Sequence, residues 1–362
     1  SAEQTLTEIV TAAERAHERL AAIVARYAAR DTSGNLTPDQ WAVRRLADVD
    51  RIAHAARSVL AAGTPSEKVL RDFLRDAWRI GVAYTDRDIE QAAAALQAGN
   101  LATVTPPVDP FPDGRSPRQL VALTSQATAG MQIANGQVLR ATVDAYRTVV
   151  AEAAREAALG TVTVKQASRE AAARLAANGI PGFTDAAGRR WRLDTYTEMA
   201  TRTAYQNSAN LARTQRYEDR GINLVIVSDA DRECPLCRPW EGKILTITPS
   251  APPIPGVDVA GSVEQARAAG LQHPRCRHQL NAYTPGLTQA APATADPAGF
   301  ENSQRFNRAR NTNRAARRQL EAAKANGDTV AAARARNRIR RSSAVMRETR
   351  QAAATLIPAP PQ

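Results

Sequence analysis

The chain has 362 residues, a length that predicts two or three units of ordinary domain size instead of one core. Aromatic residues make up only 4% of it and alanine is its commonest apolar residue, so we expect helices packed through small side chains and not a sheet sandwich. The net charge is +12, and no apolar run approaches the roughly 20 residues that span a bilayer, which argues against a protein that requires a membrane.

The N-terminal part of the chain is predicted to be a bundle of amphipathic helices. Apolar residues recur at helical spacing through most of residues 1–104. The dipeptide Thr-Pro occurs at Thr37 and Thr64, and each threonine stands where an N-cap precedes a proline in the first helical turn. The helix that starts after Thr37 is expected to run to about Ala62. Residues 105–118 contain five prolines, which predicts a linker without regular structure.

The remaining residues are predicted to form long helices and one small β module. Residues 119–221 carry apolar positions at helical spacing and form a long-helix domain. Residues 222–286 begin with a β-branched apolar run and hold short strands around a cysteine and histidine cluster. A flexible linker over residues 287–302 precedes an arginine-rich helical tail over residues 303–356. The predicted fold class is therefore mainly α: a helical bundle with long helices, a small β and zinc-knuckle module, and a basic C-terminal helical tail.

Positive charge is concentrated near the C-terminus. Fourteen basic and three acidic residues lie in residues 303–350, so this segment carries +11 of the net charge of +12. Such a segment predicts contact with a polyanion, and arginines bind the phosphates of double-stranded DNA in a salt-sensitive way. A solvated helical face and a docking surface for an acidic protein are the alternatives. The arginines predicted to contact phosphates are Arg305, Arg308, Arg310, Arg314, Arg317, Arg318, Arg334, Arg336, Arg338, Arg340 and Arg341.

Every cysteine of the chain belongs to one of two short motifs. Cys234 and Cys237 form C-x-x-C, and Cys276 forms C-x-H with His278, while His273 precedes Cys276 by three residues. Zinc is usually held by four such ligands, with the first pair often on C-x-x-C. We therefore predict a structural zinc site formed by Cys234, Cys237, Cys276 and His278, with His273 in reserve. Metal-free turns and a redox C-x-x-C are the alternatives, and no thioredoxin-like pattern supports the second.

The order of these features resembles a known family. The segment YTEMATRTAYQNSANLARTQRYEDRGINLVIVSDADRECPLCRPWEGKILTI is followed by HPRCRHQLNAYTPG and then by the basic segment NSQRFNRARNTNRAARRQLEAA. This ordered set resembles the tailed-phage minor capsid proteins called minor capsid protein 2 and their Mu F-like head morphogenesis relatives. The resemblance covers roughly residues 120–350. Its markers, in chain order, are Met199, Thr203, Ala204, VIVSDA, C-x-x-C, Trp240, Gly242, Lys243, C-R-H and the basic helix.

The resemblance implies a structural protein of the virion. Proteins of this family sit inside the phage head, associate with the portal or major capsid protein, and contribute to head assembly and to DNA packaging or delivery. For this chain it implies a non-enzymatic protein that is made in the host cytoplasm and present in several copies per virion. The metal ligands carry over onto Cys234, Cys237, Cys276 and His278. The basic segment has less lysine and fewer aromatics than the family's, and residues 1–104 match no motif of it.

Two other functions stay open on the sequence alone. A zinc-dependent nuclease or another DNA-processing enzyme would use His273 or His278 as a general base beside an open metal position. Most of the candidate ligands are needed to close a four-coordinate structural site, which disfavours that function. A sequence-specific regulator would need a recognition helix, and the long spacing between the two motifs is unlike that of a DNA-reading finger. We therefore expect no catalytic residues.

Overall fold

The computed structural model describes residues 1–30, 36–95, 109–111, 113–160, 162–180, 182–185, 188–230, 232–248, 254–274, 276–286, 288, 296–325 and 329–355. This part of the chain is mainly α-helical, which confirms the predicted fold class. Its ten helices are α1 (Ala2–Ala28), α2 (Pro38–Leu46), α3 (Val49–Ala62), α4 (Glu67–Ala95), α5 (Arg118–Ala158), α6 (Val164–Asn178), α7 (Leu193–Asp219), α8 (Val263–Ala268), α9 (Pro297–Ala325) and α10 (Thr329–Thr355). Its six short strands are β1 (Phe183–Thr184), β2 (Arg190–Trp191), β3 (Leu224–Val227), β4 (Ile244–Thr246), β5 (Val259–Ser262) and β6 (Leu280–Ala282). Among the described helices, none combines the length and apolarity needed to cross a membrane.

Local sequence signals account for the start of α2. Thr37 Oγ1 accepts a hydrogen bond from the Gln40 backbone N at 3.3 Å, and Gln40 Oε1 accepts one from the Thr37 backbone N at 3.1 Å, which forms a capping box. The single helix predicted after this cap is wrong, because α2 and α3 break at Asp48. At the break, the Arg45 carbonyl accepts from Tyr146 Oη at 2.7 Å. The same carbonyl also accepts from the Asp48 backbone N at 2.9 Å, so α2 ends in a tight turn to which Tyr146 adds a tertiary hydrogen bond.

The chain folds into two compact units, and each is assembled from distant stretches of sequence. The first unit comprises Ser1–Leu6, Ser66–Ala129 and Met199–Ser303. The second comprises Thr7–Pro65, Gly130–Glu198 and Gln304–Gln362. The domain segments predicted from the sequence are continuous along the chain, and their boundaries stay a prediction.

The first unit contains a four-stranded sheet in the order β5-β4-β3-β6. β3 is antiparallel to β4 and β6, and β4 is parallel to β5. All four side chains of β3 are buried. The pairing of Val227 with Leu280 places the loop that follows β3 beside the loop that precedes β6. The buried core under this sheet consists of Tyr217, Val225, Val227, Cys237, Leu245, Val263, Ala266, Leu271, Leu280 and Ala282.

Helices α4 and α7 approach closely in the first unit. Ser208 Oγ on α7 donates a hydrogen bond to the Leu74 carbonyl on α4 at 2.7 Å. Gly81 on α4 faces α7, and a Cβ at this position would lie 2.8 Å from Ala212 Cβ and would overlap the Ala209 carbonyl. The absence of a side chain at Gly81 therefore sets the distance between the two helices.

The two predicted linkers are only partly described. In the proline-rich segment, residues 105–108 and 112 lie outside the described residues. The described part includes Phe111, a buried residue whose ring lies 4.3 Å from the Arg75 guanidinium carbon. In the segment 287–302, residues 287 and 289–295 lie outside the described residues, and α9 already begins at Pro297.

In the second unit, α9 and α10 form an antiparallel hairpin with a seam of small residues. The buried alanines recur at heptad spacing on α9, and the buried side chains of α10 lie three or seven residues apart. The buried Asn313 amide nitrogen donates to Ser342 Oγ at 2.9 Å and to the Ile339 carbonyl at 3.2 Å. The seam residues are Ala309, Asn313, Ala316 and Ala323 on α9, and Ala332, Ala335, Ser342 and Thr349 on α10. The predicted basic tail is therefore a packed part of the second unit.

His17 is buried in the second unit with only 2% of its surface exposed. Neither of its ring nitrogens has a hydrogen-bond partner. Nε2 lies 2.8 Å from where a Cβ of Gly179 would stand, so the imidazole fits because this residue is glycine. Burial, and after it the charge of Arg192, lowers the pKa of His17 from 6.5 to about 4 against the opposing charge of Asp194, and Arg318 lowers it further.

This burial predicts a loss of stability in mild acid. Because the pKa of His17 is depressed in the folded state, the stabilisation is present above pH 6.5 and is lost as the pH falls towards 4. Between pH 7.5 and pH 4.5 we expect this group to reduce the free energy of unfolding by about 2.5 kcal/mol. Guanidinium titrations at the two pH values measure this difference in the free energy of unfolding. In a His17→Leu variant the contribution of this group to the difference should disappear. The exposed His54 provides the control variant His54→Gln, which should keep the whole difference. An unchanged difference in His17→Leu would contradict the assignment.

Candidate metal centre and arginine surface

The sheet of the first unit brings the two cysteine motifs together. Cys234 and Cys237 lie in the loop between β3 and β4, and Cys276 and His278 lie between α8 and β6. Because β3 pairs with β6, the loop after β3 and the loop before β6 lie side by side at the same end of these two strands. The Cys234 carbonyl accepts hydrogen bonds from the backbone N of Cys237 and of Arg238, both at 3.1 Å, and so tightens the C-x-x-C turn. The predicted ligands therefore converge, although 39 residues separate Cys237 from Cys276.

Five donor atoms form two overlapping groups of three. Cys237 belongs to both groups, with Cys234 and His273 in one and with Cys276 and His278 in the other. Within each group all the donor atoms lie within 4.8 Å of one another. All three cysteines are free thiols. Cys237 links the two groups, but the four predicted ligands do not all lie within 4.8 Å of one another, because Cys234 groups with His273 and not with His278.

The distances within the cluster differ between the two histidines. Cys237 Sγ lies 3.6 Å from Cys276 Sγ, close to the edge of about 3.8 Å of a tetrahedron with Zn–S bonds of about 2.3 Å. Cys276 Sγ lies 3.3 Å from His278 Nδ1, near the edge of about 3.5 Å expected between a sulfur and a nitrogen ligand. Cys234 Sγ lies only 2.7 Å from His273 Nε2, which is a hydrogen-bond distance. Of the two histidines, only His278 therefore lies at a coordination distance from its neighbouring sulfur.

Both imidazoles are oriented by a second contact. His278 Nε2 lies 2.6 Å from Glu241 Oε1, and both side chains are almost fully buried. His273 Nδ1 lies 2.8 Å from the Pro274 carbonyl. Histidines that ligate metals usually use their other ring nitrogen in this way, with a carboxylate or a carbonyl as partner. The His278 backbone N also donates to Cys276 Sγ at 3.4 Å, a contact that favours a charged sulfur.

The cluster contains one thiol that is easily ionised. A hydrogen bond with Cys237 lowers the pKa of Cys276 to about 4 against burial, and hydrogen bonds with His278 add to this effect. The hydrogen bond with Cys276, and then burial, raise the pKa of Cys237. Burial works against protonation of His278, but hydrogen bonds with Cys276 and Glu241 outweigh it and raise its pKa. The site therefore already favours a thiolate, which is the form of cysteine that binds metals.

The eleven predicted phosphate-contacting arginines fall into two groups. Four of these arginines either lie near a carboxylate or are half-buried. Arg305 makes a bidentate pair with Glu348 at 3.0 and 3.1 Å, and Arg314 lies 3.3 Å from Glu14. The members of this first group are Arg305, Arg310, Arg314 and Arg318, of which the last three are half-buried.

The second group is exposed, and in the described part of the chain none of its members pairs with a carboxylate. Arg317, Arg338 and Arg340 contact only side-chain amides. On α10 the arginines stand in two rows at helical spacing, on either side of the packed seam. The members of this second group are Arg308, Arg317, Arg334, Arg336, Arg338, Arg340 and Arg341. The five members on α10 are Arg334, Arg336, Arg338, Arg340 and Arg341, and we call the exposed surface that they form the α10 arginine face.

Sequence reasoning missed Glu241 and Glu233. Glu241 orients His278, and Glu233 accepts from Arg238 Nε at 2.7 Å and from the Asp296 backbone N at 2.9 Å. Both carboxylates are buried beside the C-x-x-C turn. Their position just before and just after this motif is the only signal in the sequence, and it does not distinguish an orienting carboxylate from a surface one.

The comparison with known families identifies the family of the chain. The family model described as phage minor capsid protein 2 matches residues 2–357. The match includes residues 1–104, which carried no recognisable motif of the family, and extends the resemblance over nearly the whole chain. No curated protein and no solved structure matches the chain. Because this match covers nearly the whole sequence, the chain belongs to the phage minor capsid protein 2 family.

Proposed function

We propose that the protein lies inside the phage head near the portal, where it contributes to head assembly and to DNA packaging or delivery. Its partners in this proposal are the portal or major capsid protein and the double-stranded genome. Membership of the minor capsid family supports a structural role in the virion. The proposal assigns no catalytic step to the chain. It has two physical parts: a metal site in the first unit and a DNA-contacting face on the second.

The observation that carries the DNA contact is the α10 arginine face. Arg334, Arg336 and Arg341 are exposed and have no carboxylate partner among the described residues. An arginine already paired with a carboxylate gains little from a phosphate, whereas an unpaired arginine can displace a counterion from DNA. Arginine side chains on one helix face reach successive phosphates without reading bases, which fits a protein that meets the packaged genome at any sequence.

The metal in the proposal is zinc, held by Cys234, Cys237, Cys276 and His278. Thiolate and neutral imidazole are the ligands that zinc prefers, and four of them close a structural site. The core that this site would support is small, with ten buried residues of modest size. In such a module a metal ion supplies stability that apolar burial does not. Bound zinc would connect the loop after β3 with the loop before β6.

The DNA contact predicts a smaller salt dependence when charges are removed from the α10 arginine face. The triple variant Arg334→Gln, Arg336→Gln, Arg341→Gln should reduce the slope of log K against log salt for duplex DNA by about 2 to 3, because up to three released counterions are lost. The measurement is a fluorescence anisotropy titration of the full chain at several salt concentrations.

A matched control removes the same charge from paired arginines. Arg79, Arg147 and Arg305 are exposed, and each pairs with a carboxylate at about 3 Å, so changing all three to glutamine should alter the slope much less. Equal slopes for the two triple variants would show that binding follows net charge alone and would contradict the assigned face. Unchanged binding in both would indicate a docking surface for an acidic capsid or portal protein instead.

A further inference from the structure

A pocket in the second unit is separate from the α10 arginine face. It has a volume of about 260 Å³ and lies between the β1–β2 hairpin, the first turn of α7 and the middle of α9. Three arginines and one tryptophan dominate its wall. The lining residues that bear on its chemistry are Arg190, Trp191, Arg192, Asp194, Thr195 and Arg314.

The pocket has an excess of positive charge. Asp194 is the acidic residue of the lining. It forms an ion pair with Arg192, whose Nε lies 3.1 Å from Asp194 Oδ1. Arg190 is exposed and forms no ion pair in the described part of the chain. Burial and then the charge of Arg192 lower the pKa of Arg318, against the opposing charges of Asp194 and Glu18. Like charges held this close repel one another, and an anion between them would relieve that repulsion.

One of the lining arginines has an unused hydrogen-bond donor. Arg314 Nη2 lies 3.3 Å from Glu14 Oε1, but Arg314 Nη1 is buried and has no partner. A buried donor without a partner costs roughly 1–3 kcal/mol, which an anion that reached this nitrogen would recover. Guanidinium groups match the oxygens of a phosphate in charge and in geometry.

The size and wall of the pocket distinguish among phosphates. The double helix is much wider than this pocket. A phosphate in the middle of a duplex strand therefore cannot enter the pocket without a steric clash between the rest of the duplex and the protein surface. A terminal phosphate or a free nucleotide can enter without this obstacle. Trp191 is half-buried, with its Nε1 donating to Asp185 Oδ2 at 2.8 Å, and its ring forms an apolar wall against which a sugar or a base can pack. We propose that this pocket binds a nucleotide phosphomonoester, either free or at a DNA 5′ end.

The site is tested by calorimetric titration of the full chain with dAMP, deoxyadenosine and inorganic phosphate. We expect saturable binding of dAMP, weaker binding of phosphate and none of deoxyadenosine. Arg190→Gln should weaken dAMP binding about tenfold, and because Arg190 is exposed this change should leave the fold intact. The control Arg305→Gln lies outside the pocket and should bind dAMP as the wild type does.

The source of the phosphate is tested with two short duplexes, one with a 5′ phosphate and one with a 5′ hydroxyl. Preference for the phosphorylated duplex, lost in Arg190→Gln, would assign the site to DNA ends, and binding of dAMP without such a preference would assign it to free nucleotides. Equal binding of dAMP and deoxyadenosine, or dAMP binding that is insensitive to Arg190→Gln, would overturn the proposal. The site shares no residue with the α10 arginine face. The triple variant of that face should therefore still bind dAMP, which distinguishes this site from the proposed DNA contact.

Discussion

Replacing Gly81 by alanine should destabilise the first unit by about 2 to 3 kcal/mol, within the range for overpacking a tight contact. The new Cβ would stand 2.8 Å from Ala212 Cβ, 3.1 Å from the Ala209 carbonyl carbon, and still closer to the Ala209 oxygen. Backbone atoms cannot rotate away as a flexible side chain can, so α4 and α7 would have to move apart. The change would be measured as a lower midpoint in guanidinium unfolding monitored by circular dichroism.

Gly136 in α5 provides the matched control for this change. A Cβ at Gly136 would have no heavy atom within 4 Å. Alanine there should therefore show only the gain in helix propensity, a stabilisation of about 0.5 to 1 kcal/mol. If both variants shifted the midpoint in the same direction, the close approach of α4 and α7 at Gly81 would be disproved.

Replacing Cys276 by serine should remove the metal and destabilise the sheet of the first unit by more than about 4 kcal/mol. Loss of a bound metal is one of the few single changes with an effect of this size. The serine hydroxyl is nearly isosteric with the thiol but is a poor zinc ligand, so packing alone would account for little of the loss. The readouts are the zinc content of the purified variant and its unfolding midpoint with and without a chelator.

Alanine variants of the two histidines distinguish between the possible ligand sets. His278→Ala should lose the metal, whereas His273→Ala should keep it, because only the distance from His278 to its neighbouring sulfur matches a coordination edge. Glu241→Gln leaves all the ligands in place but weakens the orientation of His278, and should reduce zinc affinity about 10- to 100-fold. Retention of zinc in His278→Ala together with its loss in His273→Ala would assign the fourth position to His273.

The elements with strong local signals were predictable. The cap at Thr37 and the length of α5 follow from a capping residue and from helical spacing. The cap predicted at Thr64 is wrong, because Ser66 Oγ accepts from the Val69 backbone N at 3.3 Å and so caps α4. The proximity of the two cysteine and histidine motifs was predictable because cysteine is rare in this chain and both motifs have ligand spacing. These features depend on residues close together in sequence or on unusual residue types.

The remaining features depend on contacts that local patterns do not encode. β5 and β6 have only four and three residues, and they are strands because β4 and β3 offer them hydrogen-bond partners. The division of α9 arginines into paired and unpaired members depends on where Glu14 and Glu198 lie in the folded unit. The break at Asp48 depends on a hydrogen bond from Tyr146, a residue far along the chain. In each case tertiary packing overrides or completes the local preference.

The most direct test of the account is the intact mass of the natively folded chain, purified without added metal. The cluster of Cys234, Cys237, Cys276 and His278 predicts one zinc ion per chain, released by acid or by a strong chelator together with unfolding of the sheet. It also predicts a metal-free mass for Cys276→Ser under the same conditions. A wild-type chain that carries no metal and unfolds at the same midpoint with and without chelator would contradict the proposed metal site.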